Sequence, residues 1–201
     1  MTDAVTSLRQ DVPALGLTLG FSAPSIRPVL ADALLFWLEI RRAGLAGEHL
    51  IAATRMTWWR DALTEGRSEG VPLAERLIAH GGGSQLAAAI NRRIDALLYG
   101  DGDDTWPDGI SVWLAARIHE MQQDEIDISA ISQVLNRLDA GLKGTREDDM
   151  PAAGITGQIS LDLISWCCDK PSRLHYPAAH PLLVVQMLLA TFRLPRKPAS
   201  G

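Results

Sequence analysis

The sequence predicts an all-α fold, a single helical bundle of about seven or eight helices, and three observations predict it. Apolar residues recur at helical spacing along most of the chain. No alternating run of apolar and polar residues is long enough to read as a strand. The 201 residues are 47% hydrophobic and 21% charged, enough apolar material for a sizeable core, and 17 Gly with 11 Pro is too dilute for a fibrous or low-complexity chain.

Residues 1–24 read as an irregular N-terminal arm ending in Phe21-Ser22-Ala23-Pro24. Ser25 is placed to cap a helix from about Ile26, with Pro28 tolerated in its first turn. That helix carries Val29, Leu30, Ala33, Leu34, Trp37, Leu38 and Ile40 before Arg41-Arg42 and Gly44, and so broad an apolar face suits a central position. A second helix spans about 47–65, with Leu50, Ile51, Thr54, Trp58 and Ala62 on one stripe and Met56, Trp59 and Leu63 on its flank. Leu73 to Ala79 makes a short helix that the run Gly81-Gly82-Gly83 ends. Ser84 caps a longer one carrying Leu86, Ala89, Ile90, Ile94, Leu97 and Leu98 and ending at Tyr99-Gly100. Further helices are expected at about 109–124, 129–143, 155–169 and 179–193, with residues 143–151 as a long loop and 196–201 as a frayed tail. Residues 25–195 are thus read as one all-α domain.

The net charge of −5, from 19 basic and 24 acidic residues, would repel a phosphate backbone and disfavours nucleic acid as a partner. Cys167 and Cys168 are adjacent, a spacing that rarely reaches disulfide geometry, so free thiols in a reducing compartment are expected. The first residues hold early acids and no long apolar core of a secretory signal. The most apolar segment, residues 182–192, is far short of the roughly 20 residues that cross a bilayer. These features point to a cytoplasmic chain without a transmembrane segment. The slightly positive mean hydropathy, +0.04, leaves peripheral membrane contact open.

Several patterns resemble chemistry and then fail. His119-Glu120-Met121-Gln122-Gln123 starts like a zinc-binding HExxH, but Gln123 stands where the second imidazole is needed. Asp101, Asp103 and Asp104 open like a calcium loop, yet Trp106 occupies the turn-glycine position and Val112 the position of the closing Glu. Asp61 with Glu65, and Glu120 with Asp124, are four apart and can share a helical face, the register in which paired carboxylates hold Mg²⁺ on a diphosphate. Five scattered histidines show no ligand spacing, and neither GxSxG nor a phosphate-binding glycine loop is present. Arg55-Met56-Thr57-Trp58-Trp59-Arg60-Asp61-Ala62-Leu63 is denser in information. Trp58 and Trp59 point about 100° apart, so both are buried only where the helix meets neighbours on two sides. Arg55 lies one turn before Trp59, a spacing suited to a cation–π contact.

This segment, together with the helix containing Ala33-Leu34-Leu35-Phe36-Trp37-Leu38-Glu39-Ile40, resembles the squalene/phytoene synthase family. The resemblance covers about residues 24–102, including Ala96-Leu97-Leu98-Tyr99-Gly100-Asp101, and Trp58 and Trp59 belong to its signature. It implies an isoprenoid-synthase-like helical fold. In active members, two DxxxD motifs bind Mg²⁺ and the diphosphates of two prenyl chains that condense head to head. Here Arg42 and Ala46 stand where the first motif's aspartates belong, and the second motif has no match. Set against that family the chain is short, with the shortfall expected in the missing half. Arg42 brings a positive charge and no acceptor, so it cannot replace a metal ligand.

The resemblance therefore implies a degenerate, non-catalytic member without metal or cofactor, acting as a lipid-binding or assembly and interaction protein. Its partners would be an isoprenoid lipid or another protein, with Arg41, Arg42, Arg55 and Arg60 as the anion-binding or partner-facing group. The alternatives are an active, Mg²⁺-dependent prenyltransferase drawing on Glu39, Asp61, Glu65, Glu120 and Asp124, or an unrelated helical interaction module.

Overall fold

The computed structural model describes residues 4–45, 47–65, 68–100, 106–123, 126–143, 156, 158–175 and 181–193. Among them are ten α-helices and no strand, as the helical periodicity requires. They are α1 (Ala4–Asp11), α2 (Pro13–Thr18), α3 (Arg27–Gly44), α4 (His49–Thr64), α5 (Pro72–Ala79), α6 (Gly83–Tyr99), α7 (Trp106–Gln122), α8 (Ile128–Leu142), α9 (Ile159–Cys168) and α10 (Pro181–Arg193). The chain gathers into two compact units. One holds the described residues up to Ala31 and from Ile118 onward, and the other is Asp32–Arg117. Both divisions fall inside continuous helices, α3 and α7, so no linker composition marks them.

Residues 4–21 are helical, which corrects the expected irregular arm. Leu8, Val12, Leu15 and Leu19 recur every three or four residues and are all buried, so packing supports helices too short to stand alone. Pro13 opens α2 at its first turn, where its missing N–H costs nothing. Gly16 lets α2 reach α1: a Cβ there would lie 2.9 Å from both the Arg9 Cα and its amide nitrogen. In the same unit α8 pairs with α9, while α10 lies against α9 and α2. Asp127 caps α8 by accepting from the Ser129 amide at 2.9 Å. Arg137 of α8 is buried and bonds Asp169, just past α9. Arg173 stacks 3.7 Å over the Trp166 ring and donates to the Trp166 carbonyl at 2.7 Å.

The second unit is organised around α3, every residue of which is buried from Val29 to Leu38. Its first turn is closed by the Ala23 carbonyl, which accepts from the Ile26 and Arg27 amides, and not by the expected Ser25 cap. Burial on all sides includes Asp32, whose carboxylate accepts from Arg76 Nε of α5 at 2.8 Å, with His80 Nε2 3.6 Å away. Phe36 lies against Trp59, and Gly44 against Met56, so α3 and α4 form an antiparallel hairpin.

The buried face of α4 is Ala52, Ala53, Met56, Trp59, Ala62 and Leu63, and α6 packs against α4, as α3 does. Burial therefore follows the flank named in the sequence, Met56, Trp59 and Leu63, and of the stripe only Ala62 is buried while Leu50, Ile51, Thr54 and Trp58 are exposed. Small residues on that face let neighbouring helices approach closely, and α6 in turn sets Ala89 against Gly109 of α7.

Past α5, the Gly81 amide bonds the Ile78 carbonyl and the Gly82 amide the Leu77 carbonyl, each at 2.8 Å. Gly81 takes the left-handed conformation (φ +73) that this ending requires. The turn runs on into α6, whose N-cap is Gly82 without a side-chain bond, so Ser84 is not the cap. Trp113 Nε1 donates to the His80 carbonyl at 3.3 Å, tying α7 to this turn.

Two stability outcomes follow from this unit. Gly81→Ala should lower the unfolding free energy by about 1–2 kcal/mol through its positive φ, whereas Gly47→Ala, with open space around the new methyl, should not. Arg76→Ala, which leaves the Asp32 carboxylate buried without its guanidinium, should cost about 3 kcal/mol. Urea unfolding curves of the variants check both.

Candidate functional site: a groove between α3 and α4

The α3–α4 hairpin leaves a surface groove of about 380 Å³ lined by Glu39, Arg42, Ala43, Thr54, Arg55, Trp58 and Trp59. The lining follows from helical spacing. Residues 39, 42 and 43 share one face of α3, and residues 54, 55, 58 and 59 present two adjoining rows of α4.

Its floor is aromatic. Trp59 is buried and meets Phe36 edge-on, with ring centroids 5.7 Å apart at 74°. Trp58 meets Trp59 at 5.3 Å and 80° and remains 49% exposed. Phe36, Trp59 and Trp58 thus run as edge-to-face contacts from the interior to the surface, each pair worth about 0.5–1.5 kcal/mol beyond area burial. Trp59 fills the inward position and Trp58 the outward one, so only one of the two indoles is in the core.

The rim is cationic. Arg42 Nη1 donates to Glu39 Oε1 at 3.0 Å, an exposed i, i+3 pair worth a few tenths of a kcal/mol. Arg55 is exposed beside the indoles and makes no hydrogen bond, ion pair or ring contact among the described residues, so the expected stacking on Trp59 does not form. Two guanidiniums against one carboxylate give the groove a net positive charge in a chain of net −5.

Of the four arginines read as one group, the groove gathers two. Arg60 points toward α6, donating to Asp61 Oδ1 at 2.8 Å and reaching Asn91 Oδ1 at 3.5 Å. Arg41 is half-buried on α3 and is not in the lining. Of the five candidate carboxylates, only Glu39 lines the groove. Asp61 is held by Arg60, Glu65 caps the end of α4, and Glu120 is exposed near the end of α7, in the other unit. Asp124 lies outside the described residues, as do Asp101 to Thr105 and Glu147 to Asp149.

Gln123, the broken position of the HExxH-like run, sits beyond α7 in a left-handed conformation (φ 59), so it does not even continue that helical face. Among the described residues, no cluster of three His, Cys, Asp or Glu side chains is arranged to hold a metal ion. Thr54 and Ala43 entered the site without a sequence signal, since neither carries a charge or a ring. A second groove of about 420 Å³, between α6 and α7, is lined by Gln85, Ala88, Arg92, Asp108, Gly109 and Val112, none of them a sequence candidate.

Cys167 and Cys168 are free thiols, both fully buried in α9. Burial pushes the Cys167 thiol up from 9.0 to about 12, with nearby Arg173 opposing weakly, and it pushes Cys168 up as well. An unfolded thiol ionises first as pH rises, so the folded state holds more protons between about 9 and 12. The thiols' contribution to stability is full below pH 9 and is lost as pH rises through that window. Ellman's reagent should therefore leave both cysteines untouched at mildly alkaline pH until denaturant is added. Native-state reaction at a free-thiol rate would contradict this burial.

Comparison of the chain with protein-family models, with curated proteins and with solved structures gives no match to any of them.

Proposed function

We propose that this chain is a non-catalytic binding protein of squalene/phytoene synthase type, whose α3–α4 groove holds an amphiphile with an anionic head, of the isoprenoid diphosphate class. The carrying observation is the meeting of Arg42 and Arg55 with Trp58 and Trp59 around one cavity of about 380 Å³. Guanidinium groups present planar donor forks to phosphate oxygens, and the indole faces offer apolar area for the chain that follows the head group. The volume falls within the ordinary range of small-molecule sites. The antiparallel α3–α4 hairpin, with Trp59 against Phe36 and Trp58 beside it at the surface, also supports the family reading.

A Mg²⁺-dependent condensation fits this donor set poorly. Magnesium shared with a diphosphate takes one or two carboxylates, and the groove offers only Glu39, already engaged by Arg42 at 3.0 Å. Binding through fixed cations needs no such ligands. A second reading, docking of a partner protein, is favoured by exposed Leu50, Ile51 and Trp58 along the outer face of α4. An apolar partner helix would cover that stripe.

Tryptophan fluorescence of the purified chain, titrated with farnesyl diphosphate, tests the proposal. Saturable binding is expected, stronger than that of either pyrophosphate or farnesol, and Arg55→Ala should weaken it about tenfold. Absence of saturable binding overturns the amphiphile reading. Release of diphosphate at enzymatic rates in the presence of Mg²⁺ overturns the non-catalytic one.

A further inference from the structure

The groove between α6 and α7 differs in chemistry from the one on the α3–α4 hairpin. Helical spacing gives it two walls. Gln85, Ala88 and Arg92 rise about one turn apart on α6, and Asp108, Gly109 and Val112 stand on the first turns of α7. The helices close up at Gly109, where a Cβ would lie 2.6 Å from the Ala89 Cβ and 2.5 Å from Arg92 Nη2. The space a side chain would fill there is taken by the Arg92 guanidinium, laid against α7 at the edge of the cavity. Arg92 makes no hydrogen bond, ion pair or ring contact among the described residues, so it does not pair with Asp108 although both line the same 420 Å³. Ala88, Gly109 and Val112 add a small apolar surface, and Gln85 an amide.

We infer that this groove binds a small zwitterion, a molecule carrying an ammonium and a carboxylate on a short apolar body, as a free amino acid does. The planar fork of Arg92 suits a carboxylate, which it meets with two parallel N–H···O bonds. The Asp108 carboxylate, with two oxygens able to accept several donors, takes the ammonium. A simple anion is repelled by Asp108 and a simple cation by Arg92. A ligand holding both charges is the one that neither wall opposes. Its apolar body lies over Ala88, Gly109 and Val112, whose small side chains leave room for it. Charge separates the two grooves: the α3–α4 groove sets two guanidiniums against one carboxylate, and this one sets one against one. The inference does not depend on the α3–α4 groove.

Isothermal titration of the full chain with leucine at neutral pH tests it, beside N-acetyl-leucine, which lacks the ammonium, and leucinamide, which lacks the carboxylate. Leucine should bind saturably, and each analogue about tenfold more weakly. In Asp108→Asn the advantage of leucine over N-acetyl-leucine should vanish, and in Arg92→Gln its advantage over leucinamide. A merely structural role for either residue would not remove one preference and spare the other. Ala88→Phe, which fills the groove from an exposed position, should abolish leucine binding. It should leave the far-ultraviolet circular dichroism and the farnesyl diphosphate titration unchanged. Absence of saturation up to about 10 mM leucine overturns the inference, as does wild-type leucine binding by the Ala88→Phe variant. N-acetyl-leucine binding as tightly as leucine also overturns it, by making the groove a plain anion site.

Discussion

Asp32 sits in the stretch of α3, Val29 to Leu38, that has no solvent-facing side, and much of the second unit is arranged around that fact. A carboxylate that is 1% exposed needs a partner, because leaving it unpaired in an apolar interior would cost several kcal/mol. Arg76 supplies the partner from α5, which fixes α5 against α3. The glycine turn then carries His80 toward the same carboxylate and hands the chain to α6, while Trp113 of α7 bonds the His80 carbonyl. One buried charge is thereby linked to three further helices and to the turn between two of them.

The opposite end of α3 works by another rule. There the hairpin with α4 closes through rings and small side chains, and polar groups stay on the rim. Trp59 takes the inward position and presses on Phe36, so Trp58, one residue earlier in the helical rotation, faces outward beside Arg55. The same geometry that completes the core therefore leaves an indole and a guanidinium side by side at the surface. Core packing and the lining of the groove thus meet at Trp59 of one helix.

The helical class, the placing of α3 through α10 and the importance of residues 54–63 were legible because strong periodicity and clustered Trp and Arg mark them. The rotation of α4 was not. Leu50, Ile51 and Trp58 draw the eye by their hydropathy, whereas the face that is buried includes the short side chains of Ala52, Ala53 and Ala62. The helices of residues 4–21 were hidden by Pro13, Gly16 and Gly20, which lower local propensity while tertiary burial restores the helix. The site was half legible: Arg42, Arg55 and the two indoles were named, but a sequence cannot show that Arg60 turns away to Asp61. The roles of Trp113 and Trp166 were likewise invisible, since their partners, the His80 carbonyl and Arg173, lie 33 and 7 residues away.

The crossing of α1 and α2 rests on a hydrogen atom at Gly16, where any side chain would meet backbone atoms of Arg9. Backbone cannot swing aside as a side-chain tip can. Tolerance to mutation at this point is thus decided by shape alone: polarity, charge and helix propensity are all irrelevant beside one methyl group. The close approach of α1 and α2 is held by a steric latch, one hydrogen atom wide.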